Sequence, residues 1–356
     1  MKIPLEAYIT SSYIKYDRLA SLIAEAFAGY DDTYLDIYID MNSVIKALYN
    51  SQYNTGIDNY KSLTACIINM CGHYRDYFRR YLGVNTDIII VMSNNICDIN
   101  RKYVAEYNKS FRYKIETNNL INNLVKDNLD LLNSLIPYIP NIYMIQSEFE
   151  TAAVISSIIN KRRSEGIIRP NLLISRDLLS MQVVAKYNKT AMLRPIKNYN
   201  GDNSYIVGPL DNQEFIDKYW YFFDKEITDG KTSCNINIHP INTSLLMALN
   251  RYNKRDLKTI INITQAKKYI YKCVEDNPVR CSVKTVFELN PELNDKVSWT
   301  TVESRHKALD IDFQQTIYEN SLEYKLLNFI DLNNPTAVKR VNDEIFYDNP
   351  IDIDRL

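Results

Sequence analysis

Polar side chains stand at the ends of four apolar runs, where an α/β protein places its chemistry. They are Asp40, Ser93, Gln146 and Ser175. The carboxyl ends of parallel strands form the crevice in which such sheets bind ligands. Mg²⁺ prefers carboxylate oxygens, and several acids must converge to hold it. These positions are therefore the first candidates for a metal site.

The elements that must position these side chains alternate along the chain. Apolar runs predict strands at residues 34–40, 87–92, 141–145, 171–175 and 190–194. Apolar residues at helical spacing predict helices at 13–29, 57–82, 117–135, 148–163, 177–186, 211–225, 242–252 and 263–275. Strands that alternate with helices indicate an α/β fold, with a mostly parallel central sheet flanked by helices and a helical C-terminal part.

The same pattern predicts four regions. They are an N-terminal helical extension (1–33), the α/β domain (34–200), a helical region (201–276) and a less regular C-terminal extension (277–356). The polar stretch after Pro195 is predicted to be a loop. The last fifteen residues, NDEIFYDNPIDIDRL, alternate apolar and acidic side chains and predict an extended arm. Docking of this arm on a neighbouring subunit and a frayed tail are both open at this point.

Four segments carry a family resemblance in their order and spacing. They are YIDMNSVIKALY (38–49), IIIVMSNN (88–95), FETAAVISSII (149–159) and LLISRDLLSMQVV (172–184). Together they resemble the 5′-nuclease family (flap endonucleases and phage 5′-3′ exonucleases), a branch of the PIN-like folds. The resemblance spans roughly residues 34–270 and implies a PIN-like sheet and cleavage of phosphodiesters by paired Mg²⁺ ions. An unrelated α/β domain with chance matches is the alternative.

The resemblance also implies which acids should bind metal, and several are missing. Asp40, Glu150 and Asp177 match family acids and are the candidate metal ligands, the remnant of a catalytic site. Four other positions have lost the aspartate of the family: Ser93, Ala152, Ala153 and Leu179. Three carboxylates could hold one Mg²⁺ weakly, and they make a two-metal cluster hard to build.

A fifth, weaker match concerns the helix–hairpin–helix element with which the family grips DNA. Residues 248–257 can be aligned with the segment before it, and Tyr252 and Arg255 then replace two aspartates. Residues 262–266 (NITQA) lack the glycines of the hairpin, and a backbone that approaches a phosphate closely needs glycine. The resemblance therefore implies a degenerate helix–hairpin–helix element.

A basic stretch at residues 101–114 gives four candidate nucleic-acid-binding residues: Arg101, Tyr107, Lys109 and Arg112. Aromatic side chains among basic ones suit single-stranded nucleic acid, through stacking and phosphate contacts. A solvated helix whose tyrosines cover the core explains the same pattern.

Composition restricts the remaining classes. The 356 residues have a net charge of −1, so no global field attracts nucleic acid. Six cysteines without a CxxC pair and three histidines argue against zinc, and no apolar run is long enough for a membrane span. The N-terminal sequence lacks the apolar region of a signal peptide. Abundant Tyr, Asn, Ile and Lys have A/T-rich codons, as in many phage genomes.

Three functions follow as hypotheses. The preferred one is a non-catalytic 5′-nuclease-like protein without a cofactor that binds other protein subunits, as a homo-oligomer or as a neck or tail part of a phage virion. The second is a Mg²⁺-dependent 5′ nuclease with rearranged ligands, such as Asp36, Asp87 or Glu148. The third is a nucleic-acid-binding module without chemistry that uses residues 101–114. All three place the protein in a virion or in the host cytoplasm.

Overall fold

The computed structural model describes residues 16–30, 32–43, 60–93, 139–198, 201–215, 239–253, 258–274 and 280–328, together with Leu132, Leu135 and Ile136. Helix α1 (Tyr16–Ala26) precedes strand β1 (Tyr34–Asp40). Helix α2 (Tyr60–Leu82) leads into β2 (Asn85–Ser93), and β3 (Ile142–Ser147) is followed by α3 (Thr151–Ser164). Strand β4 (Asn171–Ile174), helix α4 (Met181–Lys186), β5 (Thr190–Asn198) and β6 (Gly201–Val207) complete the α/β part.

These strands form one six-stranded sheet in the order β3-β2-β1-β4-β5-β6. All neighbouring strands are parallel except the last pair, β5 and β6. The chain moves outward from β1 to β3 and then restarts on the other side with β4. The gap between β1 and β4 is therefore the switch point, at which open α/β sheets bind ligands beyond the carboxyl ends of the strands.

Helices cover both faces of the sheet. One apolar core joins α1 and α2 to side chains such as Ile37 and Ile39 of β1. The alternate residue, Tyr38, points into a second core with α3 and α4. Because alternate side chains of β1 point to opposite faces, the strand contributes to both cores. Asp36 and Asp40 lie on the α3 side of the sheet with Tyr38.

A third apolar core lies in the C-terminal half. It joins α5 (Thr243–Leu249), α6 (Ile263–Val274), α7 (Val283–Leu289) and α8 (Trp299–Leu309). A short hairpin of β7 (Arg251–Asn253) and β8 (Lys258–Ile261) connects α5 to α6. Helices α9 (Ile311–Glu319) and α10 (Leu322–Asn328) belong instead to the second core, beside α3. The C-terminal helices therefore continue the core of the α/β part.

The predicted α/β fold with a mostly parallel sheet is confirmed, and three local predictions are wrong. The helix predicted at 242–252 ends at Leu249, and Arg251 and Tyr252 belong to strand β7. The polar stretch after Pro195 continues β5 and returns as the antiparallel edge strand β6, a hairpin that Asn200-Gly201 could have signalled. Residues 280–328, predicted to be less regular, form four helices whose spacing was missed because three of them have at most nine residues. The predicted arm lies outside the described residues. Across the described ranges, none of the helices has the length and apolar character to span a membrane.

Candidate functional site

Asp40 ends β1 at the switch point, and both of its carboxylate oxygens accept hydrogen bonds. Oδ1 accepts from the backbone N–H of Ser43, at 3.3 Å, where residues 41–43 begin a helix. Oδ2 accepts from the hydroxyl of Ser175, at 2.6 Å, across the gap between β1 and β4. Asp40 therefore caps a helix and ties β1 to the end of β4.

The environment of Asp40 makes its carboxyl group a weaker acid than a free aspartate. Burial raises the pKa of Asp40 to about 6, the hydrogen bond from Ser175 opposes this rise, and the negative charge of Asp177 adds to it. Asp40 is 3% exposed, so water solvates its charged carboxylate poorly.

Asp177 follows β4 and also caps the element that comes after it. Its Oδ1 accepts from the backbone N–H of Leu179, at 3.1 Å, at the start of a short 3-10 helix. Its own backbone N–H donates to Ser175 Oγ, at 3.0 Å, so that Ser175 lies between the two acids. Asp40 and Asp177 thus come together as the resemblance implies, and both take part in the local turn structure.

Glu150 is the third predicted ligand, and it lies at the position just before α3. An acid there is favoured by the helix dipole without any metal. The two residues that replace family aspartates, Ala152 and Ala153, follow in the first turn of α3. They are buried in the second core and pack among its apolar side chains.

Ser93 ends β2 in the place of another family aspartate. Its backbone N–H donates to Asn42 Oδ1 and its carbonyl oxygen accepts from Asn42 Nδ2, both at 2.8 Å. This reciprocal pair joins the ends of β1 and β2 with neutral groups. A serine hydroxyl carries no charge to replace the missing carboxylate.

Leu179 shows most directly how the site has changed. Its side chain is buried in the third core, with Leu245, Leu249 and Val302 of α5 and α8. The position that would hold a metal-binding aspartate in the family therefore packs the C-terminal helices against the end of β4. An acid at this position would lie in an apolar environment and would be strongly disfavoured.

Among the residues that the structure describes, those at this edge of the sheet do not fit a pair of Mg²⁺ ions. Within the described ranges, no three Asp, Glu, His or Cys side chains lie close enough together to hold one metal ion. Two of the three predicted ligands are engaged as helix caps, and the replaced positions supply a hydroxyl or apolar groups.

Two acids that could have served as substitute ligands are neutralised by arginines. Asp36 and Asp87 are paired in register on β1 and β2. The guanidinium of Arg162 contacts Asp36, and that of Arg169 lies 2.8 Å from Asp87. Burial raises the pKa of Asp36, and the charge of Arg162 opposes the rise.

This ion cluster lies at the opposite edge from Asp40, as predicted for Asp36. Gly166, with a φ of 84°, turns the chain after α3, so that Arg162 and Arg169 reach the same pair of acids. Glu148, the third suggested substitute, donates its backbone N–H to Glu323 of α10, at 3.2 Å. The carboxylate of Glu148 is therefore near the carboxylate of Glu323, and the two negative charges repel each other.

The segment aligned with the phosphate-binding hairpin of the family, predicted to be degenerate, forms a different local structure. Helix α6 begins with a capping box, in which Asn262 Oδ1 accepts from the N–H of Gln265 and Gln265 Oε1 accepts from the N–H of Asn262. Both N–H groups are therefore occupied by side chains. Arg255 and the nucleic-acid candidates Arg101, Tyr107, Lys109 and Arg112 lie outside the described residues, so their roles stay predictions.

Several residues that define the site were missed from the sequence. Ser175 was noted only as a strand end, although it bonds to Asp40 and to Asp177. The roles of Arg162 and Asn42 could not be read locally, because their partners are 126 and 51 residues away. One signal in the sequence pointed to the ion cluster. Asp36 and Asp87 lie within predicted buried strands, and such strands tolerate charges only when these are paired.

Comparison with known proteins gives a likeness of fold. No protein-family model matches the sequence, and no curated protein matches it either. The chain is similar to a bacteriophage T5 5′-exonuclease solved with divalent metal ions (zinc), with a TM-score of 0.46, 11% identity, and coverage of 87% of this chain and 98% of that one.

A second similar structure is a bacteriophage T5 flap endonuclease in a pseudo-enzyme–product complex with DNA and metal ions. Its TM-score is 0.42 and its identity 11%, with 87% of this chain and 97% of that chain covered. The predicted resemblance to 5′-nucleases is thus found again in the fold. At this identity and these TM-scores, the likeness supports no conclusion about chemistry.

Proposed function

We propose that this chain is a non-catalytic protein with a 5′-nuclease-like fold that works by binding other protein subunits. The observation that carries the proposal is the burial of Leu179 in the third core, where the resemblance implies a metal ligand. Ala152 and Ala153 extend the same change to α3. Positions 152, 153 and 179, which the resemblance assigns to metal binding, therefore contribute to apolar packing.

The concrete form of the proposal is a component of a phage virion, such as a neck or tail part. The A/T-rich codons behind the Tyr, Asn, Ile and Lys content support a phage origin. Helices α8 to α10 extend the protein beyond the sheet and enlarge the surface that other subunits can contact. Repeated copies around a symmetry axis would be natural for such a part.

The competing function is a Mg²⁺-dependent 5′ nuclease with rearranged ligands, and one assay separates the two. The purified chain is incubated with labelled flap and nicked DNA in the presence of Mg²⁺ or Mn²⁺. We expect no cleavage above the level of an Asp40→Ala variant, because the described residues at this edge bring together too few carboxylates for paired ions.

Cleavage that is present in the wild type and absent from Asp40→Ala would overturn the proposal. A second measurement tests its positive half. Mass spectra of purified virions should contain peptides of this chain, and the native mass of the purified protein should exceed that of one 41.6 kDa chain. A protein that is monomeric at high concentration and absent from virions would contradict the assembly role.

A further inference from the structure

Two cysteines of the third core lie side by side in the structure, although seven residues separate them in the sequence. Cys273 is in the last turn of α6, and Cys281 lies just before α7. Both are free thiols, and their side chains are hydrogen-bonded to each other. Thiols in contact are the arrangement from which a disulfide forms, because the bond requires its two residues to be close together.

The backbone beside both cysteines is held by hydrogen bonds to buried asparagines. The N–H of Cys281 donates to Asn242 Oδ1, at 2.9 Å. Asn290 donates from Nδ2 to the carbonyl oxygens of Tyr269 and Val286, at 3.3 and 2.9 Å, and so ties the end of α6 to α7. Asn242 and Asn290 are 1% and 0% exposed, so these bonds belong to the packed interior. The fold therefore keeps the two sulfurs together.

The two thiols differ in exposure and in ease of ionisation. Cys273 is partly exposed, whereas Cys281 is buried. The hydrogen bond from Cys281, together with the positive charge of Lys272, lowers the pKa of Cys273 against the effect of burial. The same hydrogen bond and burial raise the pKa of Cys281. Cys273 is thus the nucleophile of the pair, because the thiolate and not the thiol reacts.

We propose that Cys273 and Cys281 form an oxidation site at which a hydroperoxide such as hydrogen peroxide joins them in a disulfide. The Cys273 thiolate attacks one peroxide oxygen, the O–O bond breaks, and the departing hydroxide takes up the proton that Cys273 released. Cys273 is then a sulfenic acid. The Cys281 sulfur attacks the Cys273 sulfur, the S–O bond breaks, and the hydroxide leaves as water with the proton of Cys281. The two thiols lose two electrons, and one peroxide is reduced to two waters.

Cys71 provides a matched control within the same chain. It is a free thiol, fully buried in α2, and burial raises its pKa to about 12. A buried thiol that rarely ionises reacts slowly. We therefore expect hydrogen peroxide to modify Cys273 at least about tenfold faster than Cys71 in the folded protein.

Peptide mapping of the full-length protein tests for the disulfide directly. Trypsin cuts after Lys272, Arg280 and Lys284, so the two cysteines fall in separate peptides, 273–280 and 281–284. The protein is treated with hydrogen peroxide, its remaining thiols are alkylated, and it is digested without a reductant. We expect these two peptides to be joined after oxidation, to separate on reduction, and to be single in a sample that received no peroxide.

Single substitutions test the order of the two steps. In Cys281→Ala no second thiol is present, so the sulfenic acid on Cys273 should persist and be trapped by dimedone. In Cys273→Ala the buried Cys281 should stay unmodified at the same concentration of peroxide. Thermal melting followed by circular dichroism identifies any variant that does not fold, and Cys273→Ser and Cys281→Ser then replace it.

Three outcomes overturn the inference. One is a pair of peptides that stay separate while Cys273 proceeds to a sulfinic acid, since the sulfurs would then not meet. The second is a disulfide from either cysteine to another cysteine of the chain. The third is modification of Cys71 as fast as that of Cys273 in a folded protein. DNA cleavage that depends on Asp40 would instead overturn the proposed function and leave the thiol site unaffected.

Discussion

Replacing Leu179 with aspartate restores one acid of the implied metal site, and we expect it to destabilise the protein without creating metal binding. Leu179 is 6% exposed and packs in the third core with side chains of α5 and α8. Truncation of a buried leucine to alanine costs about 2–5 kcal/mol. An aspartate adds the cost of burying a carboxylate, so we expect a total loss of about 4–7 kcal/mol.

Urea denaturation of Leu179→Asp, Leu179→Ala and Leu179→Met measures these terms separately. Leu179→Met conserves volume and should lose less than about 1.5 kcal/mol. The difference between the alanine and aspartate variants isolates the cost of the polar group. If Leu179→Met is tolerated, the losses in the other two variants do not come from a general intolerance of substitution at this position.

Magnesium provides the outcome that would refute the reasoning. If the new acid completed a metal site, Mg²⁺ at about 100 times its dissociation constant would stabilise the folded state by about 2.7 kcal/mol. We expect equal free energies of unfolding for Leu179→Asp with and without Mg²⁺. Selective stabilisation by Mg²⁺, or a variant within about 1 kcal/mol of the wild type, would show that Leu179 faces a usable site.

Three further predictions concern pH and packing. Because burial holds the pKa of Asp40 at about 6 in the folded state, above its unfolded value, the wild type should lose stability as pH rises through that range. Asp40→Asn should therefore be more stable than the wild type near pH 8 by up to about 3 kcal/mol, with no difference below about pH 4, in urea titrations across pH. Arg162→Met should cost about 3–5 kcal/mol in thermal or urea unfolding, because it leaves Asp36 buried beside a like charge. Gln182→Ala should cost about 1–3 kcal/mol and increase hydrogen exchange in α9, since Gln182 bonds to the backbone N–H of Ile311; unchanged exchange would contradict that role.

The sequence by itself determined strands β1 to β5 of the α/β part and their order along the chain. Continuous apolar runs such as 87–92 identify strands buried on both faces, because both sides of a parallel sheet are covered. Observed bounds differ from the predicted ones by at most four residues at β1 to β5. The sequence also showed which family acids are absent, since residue identity at Ser93, Ala152, Ala153 and Leu179 needs no structure.

Only the tertiary structure decided what these positions do instead. Leu179 packs against helices that begin more than sixty residues later, and the hydroxyl of Ser175 reaches Asp40 across 135 residues of chain. Arg162 and Arg169 meet Asp36 and Asp87 only because parallel pairing puts these strands side by side. Periodicity reports local conformation, whereas such contacts depend on how distant segments pack, and no local pattern contains that information.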